Sequence, residues 1–354
     1  MSRVYVVTTS YPEHLGDAQG HFVASEVRRL SEASDVTVLA PGRERVALGR
    51  ERVVGLTGEA AFGFPGALAR LRERPSRVID AVQFVAAALR WLRSAPDPQR
   101  LIAHFLLPCG VPIATRGLGH RQAAIEIVVH GSDARLFARL PFARGAIGSE
   151  LVRTGAQLRF VSSELHDLVL GGIPPTQSRI LRARARIEPC AIDVTGTLTR
   201  EQARASVGIP VSARVAVIVA RLVPGKRVDV ALEACLRVPN LRTIVVGDGP
   251  ERAALTCRFP AARFVGHVER PLALTYLSAA DVLVSASLLE GAPTVVREAR
   301  ALGTPVVCLP AGDVAHWAQN DAGIHIATFP ASLDQATREA RAATPDGGAP
   351  RTSS

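Results

Sequence analysis

The sequence predicts an α/β protein of two successive doubly wound domains with mostly parallel sheets. Short apolar runs alternate with segments of helical periodicity, the alternation restarts after a break near the middle, and 354 residues exceed one ordinary core. The first strands are expected at 4–8, 36–39, 101–103, 125–129 and 158–161. Between them apolar positions recur at helical spacing, as at Val23, Val27 and Leu30. Pro174-Pro175 and a charged stretch at 179–186 lead into Ile187-Glu188-Pro189, where the break falls. The second series of strands is expected at 215–220, 243–246, 263–265, 281–285 and 305–308. The domains are therefore placed at 1–188 and 189–330. A short helix over 332–342 and a Gly-, Pro- and Ser-containing tail at 346–354, expected to be disordered, make up 331–354.

Composition narrows the class. The chain is 47% hydrophobic with 21% charged residues, and its 29 Gly and 24 Pro suit many short loops. No apolar run reaches the length of a membrane span, since Arg90 and Arg93 interrupt the most apolar helix. Residues 3–8 read directly as a buried strand, so no leader is expected. The five cysteines are scattered and form no Cys-x-x-Cys pair, which predicts a reducing cytoplasmic setting without disulfides or structural zinc. Charge is uneven: residues 1–188 hold 25 Arg and 17 acids, whereas 189–354 hold 17 basic and 15 acidic residues. The first half then either meets an anionic surface, such as the inner face of the plasma membrane, or carries an Arg-rich solvated surface. A nucleic-acid partner is not expected, because aromatic content is 5% and one lysine is a poor phosphate-tracking set.

That one lysine is the sharpest chemical signal. Lys226 is the only lysine among 42 basic residues, in Arg221-Leu222-Val223-Pro224-Gly225-Lys226. A compact ammonium with three rotatable donors suits a phosphate oxygen where a guanidinium fork is too wide. Two more strand ends carry unusual polar segments, Gly247-Asp248-Gly249-Pro250 and Glu290-Gly291-Ala292-Pro293. In a parallel sheet these ends share one edge, and cations, a glycine turn and a helix entrance there describe a diphosphate site. Gly291 and Ala292 let backbone N–H groups approach a ligand, and Pro293 is placed as the first residue of a helix running to about Leu302 and stopped by Gly303. Glu290 lies just outside that helix and Glu298 inside it, so the two carboxylates can serve opposite ends of an elongated polyhydroxyl ligand. Glu298 also has a plainer reading, as a surface carboxylate beside Arg297 and Arg300.

Together these residues resemble the GT-B glycosyltransferases of the family-4, or group 1, type. Arg221 and Lys226, Gly247-Asp248-Gly249-Pro250, Phe264-Val265-Gly266-His267, Ala280-Asp281-Val282, Glu290-Gly291-Ala292-Pro293 with Glu298, and Gly303-Thr304-Pro305 carry the resemblance. His130-Gly131-Ser132-Asp133, His104-Phe105-Leu106-Leu107-Pro108 and Gly20-His21-Phe22 match more loosely. The resemblance implies two Rossmann-like domains facing a cleft, with a nucleotide-sugar donor on the C-terminal domain and a glycan, lipid-linked or small-molecule acceptor on the N-terminal side. It implies a metal-independent and cofactor-free transfer with retention, serving polysaccharide or other glycoconjugate synthesis. Arg221 and Lys226 would hold the diphosphate, and Glu290 with the backbone at 291–293 the sugar hydroxyls. Glu298 would take the ribose, His130 would contact the sugar near the reaction centre, and Gly20 would approach the diphosphate.

The chain departs from the family at three places. Arg227 and Ala191 stand where glycine is usual, so the turn at 191 is expected to differ, and the family's closing helix is short. Rival functions are a non-catalytic partner subunit, whose motif would lack one of Arg221, Lys226, Glu290 and Glu298, and an epimerase or phosphorylase on the same fold. His130 alone would read as an ordinary loop or core histidine; Gly131 and Asp133 beside it raise its standing.

Overall fold

β-Branched and aliphatic residues fill the predicted strands, and in the computed structural model these form parallel strands. The structure describes residues 2–42, 47–63, 66–115, 123–328 and 332–342, so the predicted tail at 346–354 lies outside it. The chain divides into two units, Met1–Ala191 and Ile192–Ser354, so that Pro189, Cys190 and Ala191 group with the first.

The first unit contains β1 (Ser2–Val7), β2 (Ser34–Pro41), β3 (Arg52–Leu56), β4 (Arg100–His104), β5 (Ala124–Val129), β6 (Gln157–Phe160) and β7 (Ala185–Ile187). They make a seven-stranded sheet in the order β3-β2-β1-β4-β5-β6-β7, with every pair parallel. Sequence order runs outward from β1 on both sides, so the connections reverse between β1 and β4. β3 and β7 were not expected from the sequence. Both are edge strands, only partly covered, and lack the continuous apolar run that marks a strand buried on both faces.

Part of the arginine surplus of this unit is internal. Glu126 on β5 is buried, accepts from Arg100 on β4 at 3.1 Å and from Arg186 on β7 at 2.7 Å, and forms an ion pair with Arg159 on β6 at 3.0 Å. Arg159 also pairs with Glu26. Adjacent parallel strands bring these side chains together on one face, a juxtaposition that charge counting cannot reveal.

The second unit contains β8 (Arg214–Val219), β9 (Leu241–Val246), β10 (Arg263–Gly266), β11 (Val282–Ser285), β12 (Val306–Cys308) and β13 (Ile324–Ile326). The order is β10-β9-β8-β11-β12-β13, again all parallel, with the reversal between β8 and β11. Alternate residues of one strand feed two separate cores. Ala216, Ile218, Val245, Val282 and Val284 pack on one face, and Val215, Val217, Ile244, Val246 and Leu283 on the other. Only a sheet covered on both faces gives such runs of valine and isoleucine.

The helix Leu333–Ala342 belongs to this unit's core. Leu333, Ala336 and Ala340, spaced on one helical face, pack in the first of those cores, so it is not a separate terminal segment. Asp281 has a structural task before β11. It accepts from Arg200, from Arg204 at 2.9 Å and from the Val215 N–H at 2.7 Å, tying the start of β11 to β8 and to the helix Arg200–Ser206. No disulfide joins any of the five cysteines, and only Cys257 is exposed. Among the described residues no helix is long and apolar enough to cross a membrane.

Candidate functional site

In the second unit the carboxyl ends of β8, β9 and β11 lie side by side, as parallel pairing requires. β8 delivers Arg221 and, through a short 3-10 turn at Pro224–Lys226, the lone lysine. β11 delivers the segment ending in Glu290. The two loops flank the point where strand order reverses, the position at which open α/β sheets bind ligands. They also touch: the Leu288 N–H reaches the Gly225 carbonyl at 3.5 Å.

Lys226 and Glu290 form an ion pair in the half-buried space between these loops. The sequence assigns one to phosphate and the other to sugar hydroxyls. The structure brings them onto each other, so each holds the other's charge in position. Arg221 is exposed at the same loop.

Gly247 and Gly249 do something other than open space for a ligand. Their φ angles are 139° and 158°, and a Cβ would lie 1.9 Å from the Ala220 carbonyl oxygen and 2.3 Å from the Leu222 carbonyl oxygen. The loop after β9 is thus laid against the loop after β8. The Leu222 N–H donates to the Asp248 carbonyl at 2.8 Å, and the Glu251 N–H to the Leu222 carbonyl at 3.1 Å. The glycines fix the backbone that carries Arg221.

The helix entrance differs by one residue from expectation. Pro293 is the N-cap, with ψ 107°, and the helix is Thr294–Ala301, with Leu302 as C-cap. Gly303 follows with φ 79°, the left-handed stop expected of it. Gly291 is buried beneath the loop after β12, where a Cβ on Gly312 would meet the Gly291 carbonyl oxygen at 2.1 Å. Ala292 is half-buried. Gly312 was not singled out from sequence, because a lone Ala-Gly-Asp carries no motif.

Glu298 is buried at 6% exposure, which rules out the surface-carboxylate reading. Arg270 donates to it at 2.7 Å and also to the Asp193 carbonyl. Arg300 is instead engaged in a two-pronged bond to Asp321 at 2.9 and 3.0 Å. Arg270 is the site residue that sequence reading missed: it opens a different helix, Arg270–Ala279, and only folding brings it to Glu298. Burial opposes ionisation of Asp321, but the bonds from Arg300 outweigh it and hold its carboxyl below the usual range.

His130 and Gly20 belong to the first unit. Gly20 is the N-cap of the helix His21–Ser31 at φ 66°, and a Cβ there would lie 2.6 Å from the Ser10 carbonyl. It therefore serves the close fit of the loop after β1. His130 follows β5 and is held by Asp133, which accepts from the His130 N–H at 3.0 Å, the Gly131 N–H at 2.8 Å and the Leu106 N–H at 2.6 Å. Asp133 is thus a buried brace for two loops. Burial pushes its carboxyl upward against those backbone bonds. The His130 ring is framed by Phe22, Phe105 and His104. Its Nε2 lies 3.0 Å from the His104 Nδ1. Burial holds both imidazoles neutral, with His104 lowered to about 3.

Two units, each a doubly wound parallel sheet, with cations and carboxylates at the second unit's switch point, have the architecture of a GT-B-type protein. Comparison with known proteins agrees. Residues 199–341 match the family described as Glycosyl transferases group 1. The Bacillus subtilis protein TuaC, named for teichuronic acid biosynthesis, is 27% identical over 332 residues, covering 88% of this chain and 82% of that one. The sucrose-phosphate synthase structure from Thermosynechococcus elongatus superposes with a TM-score of 0.70 at 15% identity, over 97% of this chain and 90% of that one. Anabaena HepE in complex with UDP and glucose gives 0.66 at 15% identity, over 97% and 89%. Residues 199–341 thus carry a glycosyl transferases group 1 domain, and the chain shares the GT-B fold of these solved structures.

Proposed function

We propose that this chain moves a sugar from a nucleotide-sugar donor to a glycan or lipid-linked acceptor, with retention and without a metal or other cofactor, in the assembly of a polysaccharide. The observation that carries this reading is the Lys226–Glu290 pair at the switch point of the second sheet. A donor diphosphate entering there takes Lys226 and Arg221 as its counter-charges. Glu290, released from Lys226, turns to the hydroxyls of the sugar, beside the helix entrance at Pro293. Negative charge grows on the leaving phosphate as the glycosidic bond breaks, so cations already in place lower that barrier without reorganising. Glu298, oriented by Arg270, accepts from the ribose hydroxyls. His130, neutral and braced through Asp133, donates to or accepts from a hydroxyl of the transferred sugar.

The relative named for teichuronic acid biosynthesis supports a polysaccharide acceptor. A cytoplasmic enzyme resting on the inner membrane face is supported by the helix Val78–Ser94, which exposes Val78, Ile79 and Val82 and carries exposed Arg90 and Arg93. Each basic residue near an anionic surface contributes about 1 kcal/mol. Flotation with anionic vesicles at low salt, lost at high salt, is expected; equal partitioning to neutral vesicles would remove this part.

The test of the main reading is a thermal-shift panel of nucleoside diphosphates and nucleotide sugars. A donor at about 100 times its dissociation constant should stabilise by roughly 2.7 kcal/mol. The donor that stabilises should then release free nucleoside diphosphate only when an acceptor glycan is added. If no nucleotide stabilises the chain, or if an isomerised nucleotide sugar appears without that release, transferase chemistry is excluded.

A further inference from the structure

A cluster of soft ligands sits in the first unit. His104 ends β4, His130 follows β5, and Cys190 lies three residues beyond β7. Parallel pairing puts the carboxyl ends of β4, β5 and β7 on one edge of the sheet. There one nitrogen of each imidazole and the Cys190 sulfur all lie within 4.8 Å of one another. The two nitrogens that face each other, His104 Nδ1 and His130 Nε2, are 3.0 Å apart.

We propose that His104, His130 and Cys190 form a site for a borderline-soft divalent cation of the zinc type, and that occupation of this site inhibits the enzyme. Zinc takes nitrogen at about 2.0–2.1 Å and sulfur at about 2.3 Å in tetrahedral geometry. The ligand atoms of such a site stand roughly 3.3–3.7 Å apart. The present spacing reaches that with side-chain shifts of about an ångström, breaking one imidazole–imidazole hydrogen bond. His104 and Cys190 are buried, and His130 is half-buried. A hard cation such as magnesium, which seeks oxygen ligands, has nothing to hold it in this donor set.

The surrounding charges permit the ion. An imidazole binds a metal in its neutral form. Arg159, whose charge reaches both imidazoles, is itself paired with Glu26 and with Glu126. Binding is then an exchange in which the cation gains the Cys190 thiolate and one thiol proton leaves to solvent. Three protein ligands leave a fourth position for water. Inhibition rests on the functional reading above, because a metal-bound His130 is withdrawn from the sugar. Binding does not rest on it.

The experiment is titration of the untagged full chain with Co²⁺, followed by its optical spectrum. One equivalent should produce a thiolate-to-metal charge-transfer band together with tetrahedral ligand-field bands, displaced by Zn²⁺ and unaffected by excess Mg²⁺. Cys190→Ser should abolish the charge-transfer band and weaken Zn²⁺ binding by at least about 10–100-fold, the loss that even an outer partner of a metal site causes. His104→Gln should do the same if Cys190→Ser folds poorly. Cys257→Ser, at the exposed cysteine, should leave the band intact. In a transferase assay Zn²⁺ should inhibit the parent chain and not Cys190→Ser, whose activity without metal should be unchanged. Absence of the band in the parent, its survival in Cys190→Ser, or its loss in Cys257→Ser overturns the site. The band with no inhibition leaves the site standing and refutes its effect on His130.

Discussion

Gly247→Ala probes how the second unit holds its cationic loop. The added methyl would stand 1.9 Å from the Ala220 carbonyl oxygen and 2.9 Å from its carbon, both backbone atoms at the end of β8. A carbon–oxygen contact needs more than 3 Å, so something must move by over an ångström. No flexible side chain can yield. Either the loop after β9 lifts, losing the Leu222 N–H to Asp248 bond of 2.8 Å, or β8 and β10 shift, stretching the Gly247 N–H to Gly266 bond of 2.8 Å. One or two backbone bonds at about 0.5–1.5 kcal/mol each, plus about 1–2 kcal/mol for a side chain at positive φ, give a loss of about 1.5–5 kcal/mol. For a domain of this size that is a fall in melting temperature of roughly 3–20 °C. The chain has two tryptophans, Trp91 in the first unit and Trp317 in the second. In a Trp91→Phe background, fluorescence therefore reports the second unit alone. Gly247→Ala should shift that transition and lower transferase activity, since Arg221 moves with its backbone. A shift below about 1 °C with full activity would show that the loops slide freely, and the argument from crowding would fail.

Other expectations follow from the same geometry. Lys226→Ala should lower turnover about 10²–10³-fold, the cost of losing one preorganised charge at a leaving group. Lys226→Arg should restore only part of it, because the fork is wider than the ammonium it replaces; near-full activity of Lys226→Ala would refute the phosphate role. Glu290→Gln should spare binding of nucleoside diphosphate alone and impair the nucleotide sugar, whereas Glu298→Gln should weaken both. Glu298→Gln should also cost about 1–3 kcal/mol of stability, since buried Glu298 is the partner of Arg270. Calorimetry with the diphosphate alone separates the two variants, and equal losses would contradict the division of labour. Arg227 sits at φ 46° with no glycine to relieve it. Arg227→Gly should therefore stabilise the second unit by about 0.5–1 kcal/mol, the relief of a left-handed side chain less the entropy glycine adds to the unfolded chain. A lowered urea midpoint would show that the Arg227 side chain has an offsetting task.

Arg227 and Ala191 show two ways of replacing a family glycine. At 227 the backbone keeps the left-handed conformation. Ala191 is not among the described non-glycine residues at positive φ, so its backbone carries no left-handed strain. Telling these apart needs backbone angles, because the same substitution allows either.

The sequence alone determined the two doubly wound units, ten of their strands, and the convergence of Arg221, Lys226 and Glu290 on one sheet edge. It could do so because those features are local: valine-rich runs buried on both faces, and polar residues placed directly at strand ends. Only the tertiary structure decided what those residues do to one another. Lys226 and Glu290 are 64 positions apart and form an ion pair. Glu298 turns to Arg270 rather than to its neighbours on the helix. Gly247 and Gly249 serve a neighbouring backbone. β3, β7 and β13 escaped because an edge strand is covered on one side and writes a weaker pattern. The His104, His130 and Cys190 cluster escaped for a different reason. Its members come from three strand ends, and nothing in the order of residues along a chain states which strand ends will be neighbours.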